Sequence, residues 1–341
     1  MASMLAMKPQ IIILDDAAAN LDHESSSRLL NTLKELHKQG HTIISLSSRY
    51  NEDEPSDKIY VLHKGRIVLQ ANRAELLQQH SGKLQQLGCL PDSAAKKQYV
   101  YKARKEQSAP LLKANNLSYS YSMSGDAERL PVLHQVNVIV EEGDFLIVTG
   151  PNGAGKTTLG KLIAGMLPSE ECAIELLGKP LEKWDQAALA EMVGYVFQMP
   201  EHQFVADTVL EECAYTLQAR AQQIKDKNDR IRVMKQDEET AKEWLERFGL
   251  ASQMDQNPYQ LSAADKRCLT LASVLIGQPR LIILDELTAG LDYASTDRLL
   301  SHCADYVEQG HAVIMITHDK TAAEKWANKT LALQPLDLSL Q

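Results

Sequence analysis

At 341 residues, with 44% apolar and 24% charged side chains, the chain is long enough for about two globular domains with sizeable cores. A formal net charge of -9 argues against nucleic acid as a main partner, because phosphate binding normally shows as a basic surplus. No run of about 18 apolar residues and no basic-then-apolar leader is present, so any membrane connection is expected to come through a partner.

The first element reads as a short apolar run, Ile11 to Leu14, ending in carboxylates as a buried parallel strand would. His23 to Gln39 has helical spacing through Leu29, Leu30, Leu33 and Leu36, and Gly40 stops it. A strand follows over His41 to Leu46, then a hairpin over Lys58 to Leu69 turning at Lys64-Gly65, then a helix over Ala74 to Leu87. The polar, Lys- and Gln-rich stretch after it predicts a linker at 98–110.

Beyond the linker, Leu111 to Tyr121 and Val132 to Val140 read as strands around a loop holding Gly125 and Pro131. Asp144 to Thr149 predicts a buried strand, and a helix starts near Gly155. Helices dominate from Thr208 to Phe248, and a strand-turn-helix pattern resumes at Arg280. Strands separated by helices imply a mostly parallel α/β sheet. The five cysteines (Cys89, Cys172, Cys213, Cys268 and Cys303) lie far apart without a CxxC or Cys/His cluster. They read as small apolar residues in a reducing compartment, not as a disulfide framework or zinc site.

An internal repeat links the two ends. Lys8 to Asp22 matches Gln278 to Asp292 at an offset of 270, and the match runs without a gap to Gly40-His41 against Gly310-His311. About 19 of the 47 positions from Ala2 to Ser48 are identical, more than shared composition explains. The chain therefore reads as the tail of one module, 1–97, followed by a second module at 111–335.

The chemistry is concentrated in that second module. Gly150, Pro151, Asn152, Gly153, Ala154, Gly155, Lys156 and Thr157 satisfy G-x-x-x-x-G-K-[ST] between a predicted strand and helix, with Thr158 next in line. The glycines let backbone amides close around a phosphate chain at the positive end of a helix. Lys156 is expected to reach the β and γ phosphates, and Thr157 to offer an oxygen to Mg²⁺. The strand Leu281 to Leu284 ends in Asp285 and Glu286, one placed to hold the metal and the other to polarise a water.

In order, the phosphate loop, Gln198, Leu261-Ser262-Ala263-Ala264-Asp265, Asp285-Glu286, Asp292 and His318 resemble an ABC (ATP-binding-cassette) ATPase over about 111–335. That resemblance implies a P-loop NTPase fold with a mostly parallel sheet, an antiparallel β subdomain and a helical subdomain, preceded by a partial copy of the same fold. It implies ATP and Mg²⁺ as cofactors, with Thr157, Gln198 and Asp285 around the metal. Glu286, His318 and Gln198 become the catalytic set, Asp292 the D-loop residue, and Tyr121 the aromatic stacked on adenine, with Tyr119 the competing candidate.

Departures from the family pattern carry their own expectation. The signature loop, usually Leu-Ser-Gly-Gly-Gln, has alanines where backbone must approach closely and an acid where a phosphate would lie. At the repeat position of Glu286 stands Asp16, and at that of His318 stands Ser48. ABC sites form between two modules, so these losses are expected to fall in one silent composite site. The other site would pair the intact second-module set with a signature loop from a second ABC module. The expected parent has two fused modules and this chain lacks its front; the alternative is a true start at Met1 with another polypeptide supplying the missing half.

The stretch Gly194 to Val209 resembles the Q-loop region of energy-coupling-factor importers, although any ABC importer ATPase could carry something similar. The resemblance implies an ATP-hydrolysing motor at the inner face of the cell membrane, partnered by transmembrane transporter subunits. The competing expectations are a soluble non-transport ABC ATPase and a truncated remnant that binds ATP without turnover.

Overall fold

The computed structural model describes residues 7, 9–19, 21–91, 109–122, 129–169, 173–222, 224–319, 322 and 325–336. Most of the expected linker (98–108), Gly125 and Cys172 lie outside them. The chain forms two compact units. One contains Met1–Lys97 with Thr288–Leu300; the other contains Gln98–Leu287 with Ser301–Gln341.

In the first unit, β1 (Ile11–Asp15) pairs in parallel with β2 (Thr42–Leu46), and α1 (His23–Lys38) covers one face. Asp22 caps α1 by accepting from the Ser25 amide at 2.8 Å, which satisfies a first-turn donor that has no helical acceptor. Ile12 and Leu14 point into a small core with Leu30 and Leu33. The expectation of a fully buried β1 is not met. Period-two alternation turns Ile11 and Ile13 outward at 59% and 62% exposure, and Ile44 and Leu46 lie open beside them.

At the repeat offset these four residues correspond to Leu281, Ile283, Ile314 and Ile316, all buried in the second unit. The difference is one layer: the first unit has no described helix over that face.

A hairpin, β3 (Ile59–His63) and β4 (Arg66–Ala71), turns where expected, with Lys64 and Gly65 both at positive φ, the signature of a type I′ turn. Helix α2 (Arg73–Gln86) opens on a capping box between Asn72 and Glu75, and buries Leu76 and Leu84.

The second unit is built on a five-stranded, all-parallel sheet of β7 (Phe145–Thr149), β10 (Val193–Val196), β11 (Leu281–Asp285), β12 (Ala312–Ile316) and β13 (Lys329–Ala332). Its order is β10-β11-β12-β7-β13. Its central strands, FLIVT, LIILD and AVIMI, are continuous apolar runs because both faces are covered. Beside it, β5 (Leu112–Ser122), β6 (Arg129–Val140), β8 (Ile174–Leu176) and β9 (Lys179–Pro180) form an antiparallel sheet ordered β6-β5-β8-β9.

Helix α3 (Lys156–Ile163) lies on the parallel sheet so closely that a Cβ on Gly160 would stand 3.0 Å from Ile316 Cδ1 and 3.3 Å from Ile283 Cγ2. After the short α4 (Gln186–Met192), a helical group follows. In it α5 (Val209–Ala221) packs on α6 (Lys227–Arg247) and on α7 (Ala263–Leu275). Helix α8 (Tyr293–Glu308) crosses the division between the units at Leu300. Cys213, Cys268 and Cys303 are buried and Cys89 is half-buried, and none of the four forms a disulfide.

Candidate active site

Three neighbouring strands, β11, β12 and β7, end together, and each delivers part of one site; the carboxyl ends of parallel strands are where such sheets bind ligands. After β7 the backbone enters the left-handed region at Gly150 (φ 147°), Gly153 (82°) and Gly155 (84°), and α3 begins at Lys156. Only glycine takes these conformations without strain. Amides at the start of α3 thereby face the mouth of the loop, where the helix dipole favours an anion.

Gly150 is doubly constrained, since a Cβ there would stand 2.4 Å from the Leu333 carbonyl oxygen. Gly150→Ala is expected to lower the stability of the chain by about 2 kcal/mol or more, because backbone would have to move. Urea unfolding of the two proteins measures it, and equal midpoints would contradict the packing of this turn.

Lys156 is 6% exposed, and its ammonium donates to the Gly150 carbonyl (2.9 Å) and the Pro151 carbonyl (3.0 Å). Thr157 Oγ1 donates to Asp285 Oδ1 at 3.2 Å, so two of the three expected metal ligands stand side by side. A hydroxyl and a carboxylate are the hard oxygen donors that suit Mg²⁺, and the glycine cradle suits a polyphosphate. The residues present therefore fit magnesium and a nucleoside triphosphate. Burial pushes the Asp285 carboxyl above its ordinary range, opposed by hydrogen bonds from Tyr195 and Thr157 and by the charges of Lys161 and Lys156.

Glu286 holds a positive φ of 50°, rare for a side chain of that size, and is 8% exposed. Its carboxylate lies 3.3 Å from His318 Nε2, which joins the acid after β11 to the histidine after β12. Burial is the main cause that raises the Glu286 carboxyl to about 7, with Lys156 opposing it. Such a proton affinity near neutrality is what a general base for water requires.

Lys156, Thr157, Asp285, Glu286 and His318 are thus brought together. Gln198 is exposed just past β10, among loop residues. Of the two tyrosines, Tyr119 is buried in the core at 7%, whereas Tyr121 is half-buried with its hydroxyl 3.4 Å from Thr158 Oγ1 in the first turn of α3. Asp292 belongs to the first unit, where it accepts from the Ser295 amide and hydroxyl.

The signature segment acquires a meaning that spacing alone does not reveal. Ser262 caps α7, and its hydroxyl donates to Asp265 Oδ2 at 2.8 Å, which also accepts from Gln253 Nε2 at 3.3 Å. The acid thus faces the amino end of its own helix and engages the serine hydroxyl.

Three supporting residues carry no motif. The Tyr195 hydroxyl donates to Asp285 Oδ2 at 2.9 Å, and the side chain of Gln203 bridges the Phe197 amide and the Tyr195 carbonyl, bracing the loop that carries Gln198. Arg267 donates to the carbonyls of Glu286 (3.0 Å) and Leu287 (2.6 Å), holding the strained turn from behind. The positive φ demanded by a turn after β11 is a signal that some brace exists; no sequence signal says which residue.

Comparison with known proteins agrees with this geometry. Residues 133–289 match the ABC transporter family. A Bacillus subtilis (strain 168) protein, YkoD, named for ATP binding in HMP/thiamine import, is 28% identical over 364 residues, covering 99% of this chain and 63% of that protein. A Bacillus anthracis protein named for ATP binding in an ABC transporter is 29% identical, covering 98% of this chain and 62% of its own length. The chain thus spans less than two thirds of the curated relatives it matches.

Among solved structures, cbiO1 from Clostridium perfringens, described as part of the ABC transporter complex cbiONQ, superposes with a TM-score of 0.55 at 25% identity. The match covers 67% of this chain and 87% of cbiO1. A dimeric ATP-binding cassette in a post-hydrolysis state, bound to ADP and Pi, gives 0.56 at 23% identity over 66% of this chain and 97% of that one. The fold is the ABC ATPase form of the P-loop NTPase fold.

Proposed function

We propose that this chain binds and hydrolyses ATP as the motor of a membrane importer of the energy-coupling-factor type, working through the closure of paired cassettes. The observation that carries the reading is the convergence of the Lys156 loop, the Thr157–Asp285 pair and the Glu286–His318 pair at three adjacent strand ends. Amides of the glycine loop bind the phosphates, and Lys156 exchanges its two loop carbonyls for phosphate oxygens. Thr157 and Asp285, together with Gln198, would hold Mg²⁺, and Tyr121 would stack on the base. Glu286, oriented by His318, accepts the proton of the attacking water. When bound, the magnesium ion supplies positive charge that offsets what develops on the transferred phosphoryl group.

Importer coupling is supported by the name of one relative, given for HMP/thiamine import, and by exposed apolar residues beyond Gln198. Met199 and Val205 are exposed there, and so is Tyr259, whose hydroxyl donates to the Glu201 and Phe204 carbonyls (3.4 Å each), as a groove for transmembrane partner subunits requires. Among the described residues no helix is long and apolar enough to cross a membrane, so the chain would sit peripherally at the inner face. A second cassette is supported by the open face of β1 and β2. Two exposed residues of that face, Ile13 and Leu46, match by repeat Ile283 and Ile316, on which α3 sits. The same cassette would bring an intact signature loop, since Asp265 engages Ser262 in this one.

The test is ATPase turnover by the chain alone and after mixing with a cassette bearing Leu-Ser-Gly-Gly-Gln. Turnover only in the mixture is expected. Full turnover by the isolated chain would sink the paired-cassette account. Co-purification with RNA in place of hydrophobic membrane proteins would sink the importer reading.

A further inference from the structure

The first unit contains a contact that the repeat makes visible as a substitution of role. In the second unit the turn after β12 is closed by the Asp319 amide donating to Thr317 Oγ1 at 3.0 Å, and the Asp319 carboxylate caps the Ala322 amide at 3.0 Å. At the repeat offset the first unit has Ser47 and Arg49. Its turn is closed the same way, with the Arg49 amide donating to Ser47 Oγ at 3.3 Å. The frame is retained while the side chain changes from an acid to a cation of much longer reach.

That cation is fully engaged. Arg49 Nε donates to the Leu291 carbonyl at 2.6 Å, and a terminal nitrogen donates to Thr296 Oγ1 at 2.7 Å. The guanidinium carbon lies 4.4 Å from the centroid of the Tyr293 ring. A flat, forked cation can satisfy two acceptors and stack on an aromatic at once; a lysine cannot. Around it the segment is closely fitted. The Tyr293 amide donates to the Gly88 carbonyl at 2.8 Å, and Cβ atoms added at Gly88 and Gly290 would stand 2.6 Å from Asp292 Oδ1 and 3.0 Å from Asp16 Oδ2.

The chain that Arg49 grips is the direct continuation of the catalytic turn. Only Leu287, Thr288, Ala289 and Gly290 separate Glu286 from Leu291. At the near end Arg267 holds the Glu286 and Leu287 carbonyls; at the far end Arg49 holds the Leu291 carbonyl and the first turn of α8. The segment from Glu286 to Leu291 is therefore held at its start and at its end by arginine-to-carbonyl bonds. A tether that fixes the turn acts on the step Glu286 performs and leaves the phosphate loop untouched.

We propose that Arg49 is a positioning residue for the reaction of the second cassette: by holding Leu291 to Thr296 it keeps the turn after Glu286 in its working conformation. The position vacated by a switch histidine and its acid would then serve the other module. This inference rests on the hydrolytic reading of the site for its kinetic consequence, but not for its structural one.

The test compares full-length Arg49→Ala and Arg49→Lys with the parent. In hydrogen exchange, the amides of Leu291, Tyr293, Ser295 and Thr296 are expected to exchange about tenfold faster in both variants, with β7 and β12 unchanged. In ATPase assays supplemented with a signature-bearing cassette, kcat is expected to fall about fivefold or more with KM for ATP within about twofold, since only the turnover step is disturbed. Unchanged exchange in this segment overturns the proposal, as does a normal kcat or a loss confined to KM. If Arg49→Ala does not fold, Arg49→Lys decides the outcome. Should the parent bind ATP but never turn it over, the hydrolytic reading fails, and the exchange measurement by itself still decides the role of Arg49.

Discussion

Lys156→Ala is expected to abolish ATP binding, with a dissociation constant raised about 100-fold or more, equivalent to roughly 2.7 kcal/mol. Lys156 is almost fully buried beneath the loop, where its ammonium already bridges two loop carbonyls. A buried cation poised over a glycine cradle interacts with a polyphosphate in a medium less polar than water, where charge-assisted bonds are strong. Alanine removes that charge and leaves the Gly150 and Pro151 carbonyls facing the ligand, which repels phosphate further. Titration with a fluorescent ATP analogue measures the loss, and the ATP-dependent rise in melting temperature gives an independent reading by linkage. If the variant binds as tightly as the parent while remaining folded, the nucleotide does not occupy this loop.

Glu286→Gln has two expected consequences that separate chemistry from stability. In the assembled ATPase, binding is retained within about threefold while kcat falls by about 10²-fold or more, the usual scale for loss of a general base. The closed, ATP-bound state should accumulate as a result, visible as retention of unhydrolysed nucleotide on the protein.

Without metal and nucleotide, the same substitution should stabilise the chain in a pH-dependent way. The folded Glu286 carboxyl titrates at about 7 against an ordinary value of 4.5, mainly because burial disfavours its charge. Below 4.5 the carboxyl is protonated in both states and contributes no difference. As pH rises from 4.5 to 7 the unfolded state ionises first, so the folded state loses stability, and the cost is complete above 7. Glutamine never ionises. The variant should therefore melt with the parent near pH 4 and be more stable at about pH 8 in EDTA, by on the order of 2 to 3 kcal/mol. Equal stability at that higher pH would mean that Glu286 is solvated, contrary to its 8% exposure.

Much of the site is legible in the sequence because its signals are local. The glycine spacing at Gly150, Gly153 and Gly155 encodes backbone conformation directly, and each does adopt positive φ. The apolar runs of β7, β11 and β12 encode strands covered on both faces. The repeat carries structural detail across 270 residues. Asp16 and Glu286 share a positive φ, Asp22 and Asp292 accept from Ser25 and Ser295, and His41 and His311 bond the carbonyls of Pro9 and Pro279.

Spacing fails where one residue's role is set by another far along the chain. Spacing does not say what holds the acid of the signature loop; in space Asp265 accepts from Ser262 and Gln253. Ile11 and Ile13 read as core because an apolar run before two acids resembles a buried strand, yet burial needs a covering layer that a strand cannot supply for itself.

Sequence by itself therefore determined the phosphate loop, the acidic strand end and the internal repeat, since these rest on backbone rules, periodicity and direct comparison of one segment with another. Tertiary structure alone decided that Tyr195 would brace Asp285, that Arg267 would hold the turn at Glu286, and that Arg49 would grip Leu291 and Thr296. Those bonds join residues 19 to 247 positions apart. Their partners are chosen by how elements pack, and no local propensity of an arginine or a tyrosine records that choice.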